Sequence, residues 1–429
     1  MKYRKIGAYG IGILFVIVLF MIFWPQHEKT VVLRFGMFSD SNWNVASDNT
    51  TKIVEAAIQK FESEHAGVKI IYESGIQKRD YTEWLDGKFL KGEEPDVFML
   101  PADTFNSLAS KGALQDLTDF MKKDSDFKES DFYESGILSG QYKKKQYALP
   151  YESVPLLMCV NTTLLNRLGI ELPGNDWTWG DFHAICRKVT KDTDKNGRLD
   201  QFGVYNYTWK DATYANGAAL FDENGMENYV SNQNVVNAVN FVYKINSLTG
   251  GYAVTEQDFE SGTVAFTPML LTNYRMYKNY PYSIEKYTGF SWTCIPMPAG
   301  PKGDNRSEVD TLSGAISKRS EHQKLAWEFL KLLTYDEDIQ KMVASESKGA
   351  SVLKKVTEDQ SVYKEKEEIN TSLLPFAMER GVTVSKFPKY DEAVKQIDEG
   401  VAEAMNSDMN IRASLITLQK KVNSYLKNE

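Results

Sequence analysis

The chain has 429 residues, and its 42% of hydrophobic and 25% of charged residues are typical of a folded protein, which excludes a disordered one. Its length exceeds the size at which one hydrophobic core keeps growing, so two globular units are expected. The formal net charge of −8, without a stripe rich in Lys and Arg, argues against a nucleic-acid partner.

The N-terminus, residues 1–29, predicts a transmembrane anchor. Lys2, Arg4 and Lys5 precede a run of about 20 uncharged residues, long enough to cross a hydrocarbon layer of about 30 Å. The positive charges favour a cytoplasmic N-terminus, which puts the chain after Trp24 on the extracytoplasmic face of the membrane. The alternative is a cleaved signal peptide and a secreted protein. The run has neither an Ala-x-Ala site nor a cysteine that could carry a lipid, so an uncleaved helix is favoured.

The next segment alternates strands with helices. Apolar runs predict strands at residues 31–38, 67–74 and 95–101, and residues 49–65 have the apolar spacing of a helix. This order is typical of an α/β sheet, in which ligands bind at the carboxyl ends of strands. The loops SDSNW, after the first strand, and PADTF, after the third, therefore lie where a binding site is expected.

The middle and the end of the chain contain further strands and helices. Residues 146–161 predict an extended segment, Thr178 is a candidate N-cap of a helix, and residues 201–209 predict a strand. A Pro- and Gly-rich stretch at residues 290–305 marks a candidate crossing between units. The other helices are predicted at residues 235–250, 321–334 and 336–345, and from about 390 onward.

A set of short strings appears in a characteristic order along this chain: PDVFMLP, KGALQDLTDFM, YALPYESVPLLMCVN, TWGDF, FTPM, IPMPAGP and KLAWEFLKLLT. Together they resemble the extracellular solute-binding proteins of ABC sugar importers, the family that includes maltodextrin-binding proteins. The resemblance implies an α/β fold of the two-lobed periplasmic-binding-protein-like type II, each lobe a mixed sheet flanked by helices. The lobes would comprise residues 31–152 with 297–346, and residues 153–296 with 347–429.

The resemblance also implies a function. A protein of this family would be a monomeric, non-catalytic ectodomain without a catalytic cofactor, which captures a sugar or oligosaccharide between its lobes and delivers it to the permease of an ABC transporter. Closure of the lobes would require ligand contacts to both of them, because a ligand that binds open and closed forms equally shifts neither.

Sugars present hydroxyl groups that need hydrogen-bond partners and C–H faces that stack on aromatic rings. In the first lobe, the resemblance implies that the carboxylate of Asp103 accepts sugar hydroxyls, and Asp40 and Trp43 occupy an equivalent stretch of the first loop. Glu152 lies at the predicted crossing between the lobes. The alternatives are that Asp103 is only a helix N-cap, that Trp43 is a core aromatic and that Glu152 is a solvated loop charge.

In the second lobe, Tyr207 matches an aromatic residue that stacks on sugar in the relatives, and Trp209 and Asn216 follow it closely. Both aromatics could instead be core residues. The turn after residues 265–269 departs from the family pattern, because Leu270 and Thr272 replace a glycine and an aromatic platform there. Tyr274 is the candidate substitute, and the departure leaves the identity of the sugar open.

Residues 192–203, DTDKNGRLDQFG, resemble a calcium loop with a turn at Gly197. Gly203 stands where an EF-hand has a bidentate Glu, and a strand is predicted to follow, so an EF-hand switch is excluded. Some solute-binding proteins hold a structural Ca²⁺ in a similar loop, and the alternative is an Asx-rich turn without metal. The expected ligands are Asp192, Asp194, Asn196, Asp200 and the backbone carbonyls of Arg198 and Gln201.

Enzymatic functions have little support in the sequence. It contains no HExxH, GxSxG or Walker motif, and a carboxylate-pair glycosidase stays open only because spacing in three dimensions is not visible. A second alternative is a sensory ectodomain that reports its ligand to a signalling partner. Cys159, Cys186 and Cys294 have no metal spacing and imply no disulfide framework, so each is expected to be a small buried hydrophobe.

Overall fold

The computed structural model describes residues 30–43, 45, 49–222, 225–278, 289–363, 372–384, 387, 389–407 and 410–427. The predicted anchor, residues 1–29, lies outside the described residues. Among the helices in these ranges, none combines the length and the apolar character needed to span a bilayer.

A single mixed sheet runs through the molecule in the strand order β2-β1-β3-β10-β6-β8-β7, with β9 beside β6 and β11 beside β10. A separate hairpin consists of β4 and β5. The strands are β1 (Val31–Gly36), β2 (Val68–Tyr72), β3 (Val97–Leu100), β4 (Gln141–Tyr142), β5 (Lys145–Gln146), β6 (Ala148–Asn161), β7 (Phe202–Val204), β8 (Val264–Leu270), β9 (Trp292–Ile295), β10 (Ser307–Ile316) and β11 (Gly381–Val382).

Helices flank the sheet, and most of the longer ones are amphipathic; the first, for example, buries Ile53, Val54, Ala57 and Phe61 along one face. The α-helices are α1 (Thr50–Glu64), α2 (Lys78–Lys91), α3 (Ala102–Ser110), α4 (Thr118–Lys123), α5 (Glu134–Ser139), α6 (Thr162–Arg167), α7 (Trp179–Val189), α8 (Trp209–Ala215), α9 (Gln233–Asn246), α10 (Glu256–Glu260), α11 (Leu271–Lys278), α12 (Gln323–Tyr335), α13 (Glu337–Glu346), α14 (Lys354–Glu358), α15 (Leu373–Glu379), α16 (Tyr390–Asn406) and α17 (Ile411–Lys427).

The first half of the sheet comprises β1, β2, β3, β10 and residues 148–155 of β6. β1 is parallel to β2 and β3, and β10 runs antiparallel between β3 and β6. All four residues of β3 are buried, as expected for a strand with both faces covered. On one face, Phe329 of α12 meets Phe35 of β1 edge-to-face, with the ring centroids 5.3 Å apart.

The second half of the sheet comprises β7, β8, β9 and residues 156–161 of β6. β6 pairs antiparallel with β8 on one side and with β9 on the other, and β7 is a parallel edge strand beside β8. The long strand β6 therefore belongs to both halves. The predicted lobe boundary between residues 152 and 153 falls inside this strand.

Two hydrophobic clusters fill the molecule, which is a mixed α/β fold with two lobes. One cluster covers the first half of the sheet and continues onto one face of the second half, where it includes Cys159 and Trp292. The other packs α7, α9, α16 and α17 against the opposite face of the second half. All three cysteines are buried, as the sequence predicts.

The predicted N-cap is confirmed, and one predicted strand is shorter than expected. Thr178 begins α7 with a capping box, in which its hydroxyl and the Asp181 carboxylate bond each other's backbone N–H. The strand predicted at residues 201–209 ends at Val204, because Thr208 caps the next helix, α8, in the same manner. The sequence prediction overlooked this second capping box.

Candidate ligand-binding site

The carboxyl ends of strands from the two halves of the sheet point toward each other. β3 ends at Leu100, which is level with Ser313 of β10 and hence with Pro150 of β6. β8 runs in the opposite direction and ends at Leu270, opposite Leu156 of β6. At about 3.3 Å per residue, the step along β6 from Pro150 to Leu156 spans roughly 20 Å. The carboxyl ends of strands are where α/β sheets bind ligands.

On the first side, the loop after β1 contains Asp40 and Trp43. The Asp40 carboxylate accepts a hydrogen bond from the backbone N–H of Lys78 (2.6 Å) and so holds the start of α2. Trp43 is buried, with 8% of its surface exposed, and its Nε1–H has no hydrogen-bond partner among the described residues. The adjacent Asn42 is equally buried, and its Oδ1 has no partner within the same part of the chain. Buried polar atoms are nearly always hydrogen-bonded, so these two neighbouring atoms are candidates for contact with a ligand or water.

Asp103 lies in the first turn of α3, directly beyond β3, and is exposed. The N-cap position is occupied by Pro101, so the alternative that Asp103 itself is the N-cap is wrong. Its Oδ1 accepts a hydrogen bond from the neighbouring Thr104 hydroxyl (3.0 Å). The carboxylate therefore keeps acceptor capacity toward solvent.

Glu152 is buried in β6, at the junction of the two halves of the sheet. The alternative that it is a solvated loop charge is therefore wrong. Its Oε1 accepts hydrogen bonds from the Ser347 hydroxyl and from the Gly349 N–H, both at 2.6 Å. The guanidinium of buried Arg275, in α11, donates to the carbonyl of the same glycine. Glu152 and Arg275 thus bond Gly349 through its two backbone groups and connect β6 with α11 and the segment after α13.

On the second side, Tyr207, Trp209 and Asn216 are buried and have partners within the protein. The Tyr207 hydroxyl accepts from Trp179 Nε1 (3.2 Å), and burial raises the pKa of this tyrosine well above its usual value. Trp209 Nε1 donates to Asp398 of α16 (2.8 Å). The Asn216 side chain donates to the Asn234 carbonyl (2.9 Å) and accepts from the Lys302 N–H (3.0 Å). Both aromatics pack as core residues, which was the alternative interpretation of each.

Beyond β8, the helix α11 contains Thr272 and Tyr274, and both are buried. The ring of Tyr274 packs edge-to-face on Trp292, with the centroids 5.2 Å apart. The Thr272 hydroxyl has no hydrogen-bond partner in the part of the chain that the structure describes. Within that part, the second side thus resembles the loop after β1 in having such a buried polar atom at a strand end.

Two of the cavities in the described part of the chain lie away from Asn42, Trp43 and Thr272. One, of about 440 Å³, is bordered by α3, α5, the β4–β5 hairpin and β11, and does not include the predicted site residues. The other, of about 640 Å³, lies beside the edge strand β7 and includes Tyr207 and the exposed Asn206. No hydrogen bond or ring contact joins Asp103 to Tyr207 among the described residues, so these two predicted ligands are not in contact with each other.

Sequence reasoning overlooked Asn42 and the partners of Glu152. Asn42 lies inside the SDSNW loop that was singled out, so its position at a strand end was a usable signal. Arg275 and Gly349 are 74 residues apart, and only the fold brings them together.

The Asp-rich loop brings three of its predicted ligands close together: one carboxylate oxygen each of Asp192, Asp194 and Asp200 lie within 4.8 Å of one another. This spacing is compatible with calcium–oxygen distances of about 2.3–2.6 Å. The side chains already bond within the loop, since Asp192 accepts from the Gly197 N–H and Asp200 from Thr193. These Thr193 bonds lower the pKa of Asp200. Asn196 bonds Asp194, and the Gln201 carbonyl accepts from the Lys191 N–H.

Comparison with known proteins gives matches across most of the chain. Residues 47–339 match the profile of the family described as bacterial extracellular solute-binding protein. A curated relative, an uncharacterized lipoprotein from Streptomyces antibioticus, is 24% identical over 165 residues, which cover 38% of this chain and 34% of the relative. The chain thus matches only about a third of that relative's length.

Two solved structures have the same fold over nearly their whole length. The cyclic alpha-maltosyl-1,6-maltose binding protein from Arthrobacter globiformis superposes with a TM-score of 0.76 at 16% identity, over 93% of this chain and 100% of its own. The sugar-binding protein MalE from Xanthomonas citri superposes with a TM-score of 0.75 at 15% identity, over 92% and 97% of the two chains.

Proposed function

Because the chain belongs to the bacterial extracellular solute-binding proteins, we propose that it captures a carbohydrate between the two halves of its sheet. Both solved relatives described above are named for sugar binding, which supports this ligand class. The family groups the chain with binding proteins and not with enzymes, as the sequence analysis expects, and leaves the glycosidase alternative without support.

The observation that supports the proposal is the set of buried polar atoms at the facing strand ends that have no partner among the described residues. Asn42 Oδ1 and Trp43 Nε1 lie beyond β1 in the first half of the sheet, and Thr272 Oγ1 lies beyond β8 in the second. Asn42 Oδ1 can accept a hydrogen bond, Trp43 Nε1–H can donate one, and the Thr272 hydroxyl can do either. Sugar hydroxyl groups both donate and accept, so they can bond all three atoms. A ligand that bonds both sides at once favours the closed form, since the open form offers only one side.

We assign the predicted residues to two roles within this site. Trp43 and Asp103 on the first side and Tyr274 on the second are the proposed sugar contacts. The remaining residues hold the walls in position through the internal hydrogen bonds described above; they are Asp40, Glu152, Tyr207, Trp209 and Asn216. The lobes proposed for closure keep the boundaries predicted from the sequence.

Delivery is the other part of the proposal. The bound sugar passes to the permease of an ABC transporter, and residues 1–29 anchor the protein to the extracytoplasmic face of the membrane. The sensory alternative would replace the permease by a signalling partner. Cross-linking in membranes discriminates the two, because the proposal expects capture of permease subunits.

The direct test is a thermal-shift and calorimetric screen of the full chain against mono-, oligo- and cyclic saccharides. A ligand selective for the folded chain raises its melting temperature. Trp43→Phe keeps the ring and removes the N–H, so we expect it to weaken binding of the active saccharide about 5- to 20-fold. Trp84→Phe is the matched control, because Trp84 Nε1 bonds Glu73 away from the facing strand ends.

Two outcomes would contradict the proposal. The first is a melting temperature that responds to peptides or polyamines and to none of the saccharides. The second is equal affinity of the Trp43→Phe and Trp84→Phe variants for the active saccharide. That result would show that the Trp43 Nε1–H does not bond the saccharide.

A further inference from the structure

Cys159 and Cys294 lie directly opposite each other on the antiparallel strands β6 and β9. The backbone N–H of Thr162 bonds the carbonyl of Ser291 (2.9 Å), and these two residues are opposite in the same register. Pairs that share backbone hydrogen bonds alternate with pairs that do not. Cys159 and Cys294 are three positions away from the hydrogen-bonded pair Thr162 and Ser291. Because three is an odd number of steps, Cys159 and Cys294 form a non-hydrogen-bonded pair.

This position brings the two side chains close together. Non-hydrogen-bonded pairs have Cα atoms about 4.5 Å apart and the closest side chains in an antiparallel ladder. A disulfide needs Cα atoms about 4.4–6.8 Å apart, so the register allows the bond without moving either strand. All three cysteines are free in the structure, and Cys294 is near enough to Cys159 to contribute to its raised pKa.

The surroundings separate this pair from the third cysteine. Cys159 and Cys294 belong to the cluster that contains Trp292, whereas Cys186 lies in the other cluster, on the opposite face of the sheet. Burial and the adjacent Cys294 thiol raise the pKa of Cys159 well above its usual value. A thiol buried in this way reacts slowly, so the pair is most reactive while β6 and β9 are still assembling.

We propose that Cys159 and Cys294 form a disulfide bond that joins β6 to β9 once the protein is outside the cytoplasm. Extracellular compartments maintain disulfides, whereas the cytoplasm keeps thiols reduced. The oxidant is a small-molecule or protein disulfide. One cysteine thiolate attacks a sulfur of the oxidant and releases its first thiol. The other cysteine then displaces the second thiol, so two electrons and two protons pass from the cysteine pair to the oxidant.

The bond would close the segment from residue 159 to residue 294, which includes β7 and β8, into a covalent loop. A cross-link across a long loop restricts the unfolded chain and so raises stability. It would also fix β9 to the strand that belongs to both halves of the sheet. The second half would thus move as one unit when the protein closes.

The test is refolding of the full chain, in mild detergent, with oxidised glutathione, followed by unfolding, alkylation with iodoacetamide and intact mass measurement. The proposal expects one alkylated cysteine in the wild type, none in Cys186→Ser and two in Cys294→Ser. Reduced wild type gives three. The oxidised wild type should melt about 5–10 °C above the reduced form.

Three alkylated cysteines in refolded wild type, stable glutathione adducts at Cys159 or Cys294, or a bond that includes Cys186 would each overturn the proposal. Cys186→Ser retains the proposed pair and serves as the matched control if Cys294→Ser does not fold. A melting temperature of Cys186→Ser that is the same with and without reductant would also contradict the proposed bond.

Discussion

Gly349 is the residue at which two buried charged side chains meet. Its N–H bonds the Glu152 carboxylate, and its carbonyl accepts from Arg275. A side chain at this position has no space, because an added Cβ would lie 2.3 Å from Glu152 Oε1. The glycine is therefore required by close approach, and it connects strand β6 with α11.

We expect Gly349→Ala to lower the free energy of unfolding by about 2–4 kcal/mol, because the added methyl group displaces the buried carboxylate from its donors. Urea denaturation measures this loss. Gly87→Ala is the control, because nothing lies within 4 Å of a Cβ added there, in the interior of α2. Alanine should stabilise that helix by up to about 1 kcal/mol. If the two variants had the same free energy of unfolding, Gly349 would have room for a methyl group and the explanation would be wrong.

At the scale of elements, three described helices begin with a Thr–Asp capping box, and two of them place its aspartate in different environments. Asp211, at the start of α8, is bonded to Thr208, and its burial raises its pKa to about 6. Asp181, at the start of α7, is exposed, and its bonds to Thr178 lower its pKa. The same sequence signal therefore has opposite electrostatic consequences.

We expect Asp211 to make the protein less stable as the pH rises from about 4 to about 6. Its carboxyl binds a proton more tightly in the folded chain than in the unfolded chain, so stability falls as that proton is lost. Relative to wild type, Asp211→Asn should gain about 1–2 kcal/mol of stability between pH 4.5 and pH 7, measured by urea midpoints. Asp181→Asn should show almost no such change over this range, because a lowered pKa confines the titration of Asp181 to below about pH 4. An equal gain in both variants would refute this explanation.

The loop at residues 192–201 is the second element with a testable prediction. If Ca²⁺ bridges the three carboxylates, EDTA should lower the melting temperature and added Ca²⁺ should restore it. Asp194→Asn removes one negative charge and should weaken the response to calcium. The loop already satisfies many of its polar groups internally, so an unchanged melting temperature in EDTA would identify it as a turn without metal.

At the scale of the whole molecule, the proposed function requires two forms that differ in the angle between the halves of the sheet. A saturating saccharide should shift the population toward the compact form, because it contacts both sides only there. Small-angle X-ray scattering should then show a smaller radius of gyration. An unchanged radius at saturation would mean that the ligand binds without closure.

The sequence alone determined the α/β class, most of the element order and the membership of a solute-binding family. These features follow from local periodicity, caps and short strings, as Thr178 and the long extended segment at residues 146–161 illustrate. Position at strand ends also made the loop that contains Trp43 a candidate binding loop, because the carboxyl ends of α/β strands are where ligands bind.

Only the tertiary structure decided how each side chain is used. Tyr207 and Trp209 turned out to pack in the core, and Glu152 to bond Gly349, because burial and partners depend on residues far away in the chain. The pairing of Cys159 with Cys294 has the same origin, since strand register joins positions that no local pattern relates. Periodicity determines which face of an element is apolar, whereas the packing of distant elements determines what that face meets.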